Sequence, residues 1–146
     1  MSYVLRPHPP QPSQALESLS DAERAISGGP LWDLQTIQAK LVSVESMRVI
    51  YSSNAENDAQ SEWLWTIDNA KAFISVLSRA RYLASDWCYR CNSQKAYAAD
   101  AYVMGFNRHK GEENQRTDPW VYFKFSVIEK THSILILSSH LERRKQ

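Results

Sequence analysis

Apolar positions recur at helical spacing in the first half of the chain and alternate in the second. Residues 1–12 are polar and proline-rich and read as an extended arm, because proline fixes its own φ and biases its predecessor away from helix. Leu16, Leu19 and Ile26 share one helical face, which predicts a short helix over 13–27. The string Ser20-Asp21-Ala22-Glu23 fits a capping box that starts this helix late or breaks it, and Gly28-Gly29-Pro30 ends it. Leu34, Ile37 and Leu41 predict a helix over 32–43. Ile67, Ala70, Ile74 and Leu77 predict a stronger one over 66–82, capped by Thr66 or Asp68. Between them, 47–51 is short and β-branched and reads as a strand, and 52–62 as a loop.

The period changes after residue 98. Residues 98–104 form a candidate strand and 106–119 a long charged loop. From Trp120 to Val127 the alternation is clear: Val121, Phe123, Phe125 and Val127 share one face, and Tyr122, Lys124 and Ser126 the other. Ile134-Leu135-Ile136-Leu137 is apolar on both faces and should be a central strand covered on both sides. Helices first and strands later predict an α+β fold, an antiparallel sheet in the C-terminal half packed by N-terminal helices. The arm and short helix, 1–30, read as an appendage to a domain spanning 31–146.

Register carries the argument further. If 129–133 is the hairpin loop, Ile128 pairs with Ile134. Tyr122 then falls opposite His140, and Lys124 opposite Ser138. Opposed side chains share a face about 5 Å apart, so a phenol, an ammonium and an imidazole should cluster away from Phe123 and Phe125.

The 146 residues suffice for one domain. No apolar run approaches a membrane span and no secretory leader is apparent, so a cytoplasmic protein without membrane contact is expected. The net charge of +1 hides an asymmetry, with −4 over residues 1–78 and +5 over 79–146. A basic C-terminal half can bind phosphate on one side.

Chemistry concentrates in that half. Cys88 and Cys91 form a C-x-x-C after Trp87, which reads as a redox pair, half of a zinc site, or two partly buried thiols at an element's end. The redox reading needs a preceding strand within βαβ units. Zinc needs a second ligand pair, which the isolated His109, His132 and His140 do not supply, so no metal or other cofactor is expected. No phosphate-cradling glycine loop and no nucleophile elbow is present. Tyr122, Lys124 and His140 fit the polar face of an ordinary sheet. They also fit the needs of metal-independent RNA cleavage: a base, an acid and a cation for the phosphate. Arg90 joins them as a candidate catalytic residue. Lys95, Tyr97 and Arg108 are candidate RNA contacts. Trp120 could stack an unpaired base, and Arg143 and Arg144 could track a phosphate backbone.

The string Val121-Tyr122-Phe123-Lys124-Phe125-Ser126-Val127-Ile128 resembles the V-Y-L/F-K-I/F-T/S-V-I strand of the MqsR family of bacterial toxins. As in that family, a turn and an aliphatic strand follow. Asp86-Trp87-Cys88-Tyr89-Arg90 is similar to the family's D-F-Y-K stretch, and Asp100-Ala101-Tyr102 to its D-V-Y. The resemblance covers roughly 31–141. It implies a RelE-like fold and an mRNA interferase, an endoribonuclease acting through the substrate's own 2′-hydroxyl, with the ribosome as a further partner, and held in check by a cognate antitoxin. By motif position, Tyr122 matches the family's tyrosine, Arg90 stands where it has a lysine, and His140 stands near its C-terminal lysine. Its glutamine is Ala99 here, which leaves open a non-catalytic RNA- or protein-binding module on the same scaffold.

Overall fold

The computed structural model describes residues 3–13, 15, 18–43, 47–52, 55, 66–89, 96–107, 109–113 and 120–141. Their order is α1 (Asp21–Arg24), β1 (Ala25–Ile26), α2 (Leu34–Leu41), β2 (Arg48–Tyr51), α3 (Ile67–Val76), β3 (Tyr82–Tyr89), β4 (Ala96–Asn107), β5 (Glu112–Glu113), β6 (Trp120–Ile128) and β7 (Ser133–Leu141). The fold is α+β. The sheet runs β1-β3-β4-β6-β7-β2, with β5 paired to β4 beside this path. All pairings are antiparallel except β2 with β7, which is parallel.

One sheet face meets the helices. Val121, Phe123, Phe125 and Val127 of β6 are all buried, as the alternation requires. Phe73 of α3 lies across them, its ring 4.9 Å from that of Phe123 and 5.3 Å from that of Phe106. Leu34, Ile37 and Leu41 of α2 join the same core. Gln38 donates from Nε2 to the Ile74 and Leu77 carbonyls, satisfying acceptors that the end of α3 leaves open and tying the two helices together. Thr66 caps α3 in a capping box with Asn69.

The stronger helix is shorter than its apolar spacing suggests. It ends at Val76, and after a 3-10 turn over Arg79–Arg81 the chain becomes β3. Leu77 closes the last apolar turn in extended backbone, and the Ser78 side chain accepts from the Ala80 N–H to start the 3-10 turn. Among the described residues, the helix expected over 13–27 is the single turn α1, begun by the Ser20–Glu23 capping box. The chain then extends into β1, against β3. The strand expected over 98–104 runs from Ala96 to Asn107. The charged loop after it folds back as β5, with the Asn107 side chain accepting from the His109 and Lys110 N–H groups. Ile134 to Leu137 are all buried, but β7 lies one strand in from the edge rather than at the centre.

The first thirty residues, expected as an appendage, contribute Tyr3 and Ile26 to the core. Leu5 donates its N–H to the Leu31 carbonyl, and Asp33 to that of Tyr3. Gly28 and Gly29 have φ of 102° and 94°, backbone that a side chain would strain, and the Arg6 guanidinium reaches the Ser27 and Gly29 carbonyls there. The segment that the arm pairs with, Leu31–Trp32, is itself anchored by a carboxylate. Asp100, on the core face of β4, accepts from the Leu31 N–H at 3.0 Å, the Trp32 N–H at 3.0 Å and the Ser85 hydroxyl at 2.7 Å. Burial pushes the Asp100 carboxyl above its usual range, and these three donors oppose the shift. Trp32 adds a bond from Nε1 to the Ala98 carbonyl.

Candidate functional site

The opposite face of β6 and β7 carries the polar cluster. At the turn the observed pairing differs from the expectation by one residue. A 3-10 turn over Glu129–Thr131, closed by His132 in left-handed backbone, leaves Ile128 opposite Ser133. That register continues to Phe125 opposite Ile136. A β-bulge then absorbs Leu137, and the ladder resumes with Lys124 opposite Ser138 and Tyr122 opposite His140. The two offsets cancel, so the expected partners at the site are the observed ones.

Tyr122 and His140 stack with ring centroids 4.9 Å apart and planes within 14°. Lys124 sits one pleat along on the same face. Its Nζ lies 3.0 Å from Oδ2 of Asp86 on β3, two strands away. The intervening strand allows this reach. Asp86 is opposite Ala99 and Lys124 opposite Ala101, so β4 places only methyl groups on this face between them.

Burial pushes the Tyr122 phenol upward, with the Asp86 charge adding to it, and the neighbouring Lys124 ammonium offsets only part of the rise. The phenol is therefore neutral at pH 7, and its oxygen accepts a hydrogen bond from the Lys124 ammonium. Burial alone would lower Lys124, but Tyr122, Asp86 and Cys88 on the same face raise it overall. With Tyr122 neutral, the Asp86 carboxylate is the operative partner, and Lys124 stays an ammonium.

Cys88 lies on this face in β3, opposite Tyr97. Burial pushes its thiol up to about 12, against the pull of Lys124 and Arg24. A thiol so disposed is a poor nucleophile, and β3 follows a helix rather than opening a βαβ unit. Both observations weigh against the redox reading of the C-x-x-C, although Cys91 lies outside the described residues. Among the described residues no three His, Cys, Asp or Glu side chains gather as a metal site would need.

The structure thus brings Tyr122, Lys124 and His140 together. Tyr97 shares their face, and Trp120, half-buried at the start of β6, alternates onto it. Arg90, Lys95, Arg108, Arg143 and Arg144 lie outside the described residues. Asp86 is the participant that the sequence reading did not assign. The residue stands in a quoted motif, but its place beside Lys124 depends on β3, a strand that the apolar pattern does not predict. No protein-family profile, curated protein or solved structure matches the chain.

Proposed function

We propose that this face binds single-stranded RNA and cleaves it without a metal, as the toxins that the β6 string resembles do, on a RelE-like scaffold. The observation that carries the reading is the meeting of Tyr122, Lys124 and His140 on one face across β6 and β7. In this mechanism His140 takes the proton of a ribose 2′-hydroxyl, and the oxygen attacks the adjacent phosphorus. Tyr122, neutral at pH 7, gives its proton to the departing 5′-oxygen, and Lys124 stabilises the charge that builds on the phosphorane. The products are a 2′,3′-cyclic phosphate and a free 5′-hydroxyl, and solvent restores both proton carriers. Arg90 is the proposed second cation. An antitoxin that covers the same face is the proposed protein partner, in the cytoplasm, where mRNA and ribosomes are. Among the described residues no helix is long and apolar enough to cross a membrane.

The test is incubation of the purified protein with mixed mRNA in EDTA, beside Tyr122→Phe and His140→Ala variants. Cleavage to cyclic-phosphate ends that both substitutions remove supports the reading, and intact RNA sinks it. The Lys124–Asp86 ion pair favours a second reading, a module that binds RNA without cutting it, because the cation is already compensated. Salt-dependent retention of uncut RNA is its signature.

A further inference from the structure

We propose that Asp86 regulates RNA binding at this face by holding the Lys124 ammonium in the free protein, so that a substrate phosphate enters by taking the place of the Asp86 carboxylate at Nζ. The inference rests on the RNA reading of the face. Three observations lead to it. First, Lys124 and Asp86 come from strands separated by β4 and meet across Ala99 and Ala101, so the lysine leans along the sheet instead of standing out from it. Its side chain is only 16% exposed, against 33% for Asp86, so an approaching phosphate meets the carboxylate first. Second, Asp86 is held on one side only. Its Oδ2 takes the lysine, while its Oδ1 is buried and has no hydrogen-bond partner among the described residues. An acceptor satisfied at one oxygen gives up a single contact when it moves aside. Third, a phosphate oxygen offers an ammonium the same charge-assisted bond as a carboxylate, so the exchange keeps Lys124 paired throughout. The carboxylate left behind repels the phosphate. Binding through Lys124 is therefore weaker in the native protein than the ammonium alone allows, and Asp86 sets the margin.

The experiment titrates full-length protein against a labelled single-stranded 2′-O-methyl RNA, which cannot be cut by its own 2′-oxygen, over a range of KCl concentrations. Asp86→Asn is expected to bind at least about threefold tighter at low salt. It should also steepen the log–log salt dependence by about 0.7, the value for one more uncompensated positive charge against a single strand. In the Lys124→Gln background both gains should vanish. Asp86→Ala, which offers the lysine no amide, should act in the same direction and serves if the asparagine variant does not fold. Suppose wild type binds and neither Asp86 variant binds tighter, or the gain survives Lys124→Gln. The proposal then fails while the RNA reading stands. If neither wild type nor variants hold RNA at low salt, the RNA reading itself fails and takes this proposal with it.

Discussion

Asp86 and Asp100 stand on neighbouring strands, near each other along the sheet, and face opposite ways. Asp100 points into the core and is fully buried, its carboxylate closed by two backbone N–H groups and a hydroxyl. Asp86 points away from the core, a third exposed, with an ammonium on one oxygen and, among the described residues, no partner on the other. The partners determine what each carboxylate can do. Backbone donors cannot leave without moving the chain, so Asp100 joins the Leu31–Trp32 segment to the sheet and has no freedom left. An ammonium on a long side chain can change partners, so Asp86 is held and still exchangeable. The same residue type thus serves architecture on one face and, in the proposed reading, chemistry on the other.

The comparison breaks if open-face substitutions unfold the protein as readily as core-face ones. The largest expected effect is on catalysis. His140→Ala should lower RNA cleavage by about 10²- to 10⁴-fold, the usual weight of a proton-transfer group. Its urea midpoint should shift by less than about 1 kcal/mol of stability. A variant as unstable as a core truncation would undo the distinction between the faces. Next comes Asp100→Ala, which leaves the Leu31 and Trp32 N–H groups and the Ser85 hydroxyl without their acceptor. A loss on the order of 3 kcal/mol is expected by equilibrium denaturation. Cleavage per folded molecule should be unchanged.

A pH series sharpens the same point. The native carboxyl of Asp100 is raised above its unfolded value, so the folded protein holds this proton more tightly. Its contribution to stability is therefore present at acid pH and lost as pH climbs from the unfolded pKa, near 3.8, through the raised native one. Urea midpoints of wild type minus Asp100→Ala should fall over that interval, and a flat difference would refute the assignment. A smaller effect is expected from Trp32→Phe, which removes the bond to the Ala98 carbonyl and should cost about 1 kcal/mol. The smallest concerns Cys88. In a Cys91→Ser background its alkylation at pH 8 should be slow in the native state and rise sharply in urea. Cys88→Ser should change RNA cleavage less than twofold, and a larger loss would return the thiol to consideration.

Much of the fold was legible because it rests on side-chain periodicity. The alternation of β6, the aliphatic run of β7, the apolar stripe of α2 and the Thr66 cap are all written in residue type. The meeting of Tyr122 with His140 was legible too, but by a route in which a misplaced turn and an unseen bulge cancelled. What escaped was of another kind. The Arg79–Arg81 turn has helix-forming composition and hid the start of β3, and with it the position of Asp86. The anchoring of the Leu31–Trp32 segment that the arm pairs with was invisible because two of Asp100's three donors are backbone N–H groups, which every residue but proline carries. Proline content reads as an extended arm, while the segment it pairs with is held by one acidic side chain far along the chain.

The extra residue in β7 has a consequence for how the chain tolerates changes of length. Remove Leu137 and the ladder closes with Ser138 following Ile136, still opposite Lys124, and His140 still opposite Tyr122. Remove Ser139 instead, beyond the bulge, and His140 moves one place back, opposite Phe123, and turns into the core. Two single-codon deletions, two positions apart, are thus expected to part company. The first trades a buried leucine for a more regular sheet with its imidazole in place, and the second forfeits the imidazole.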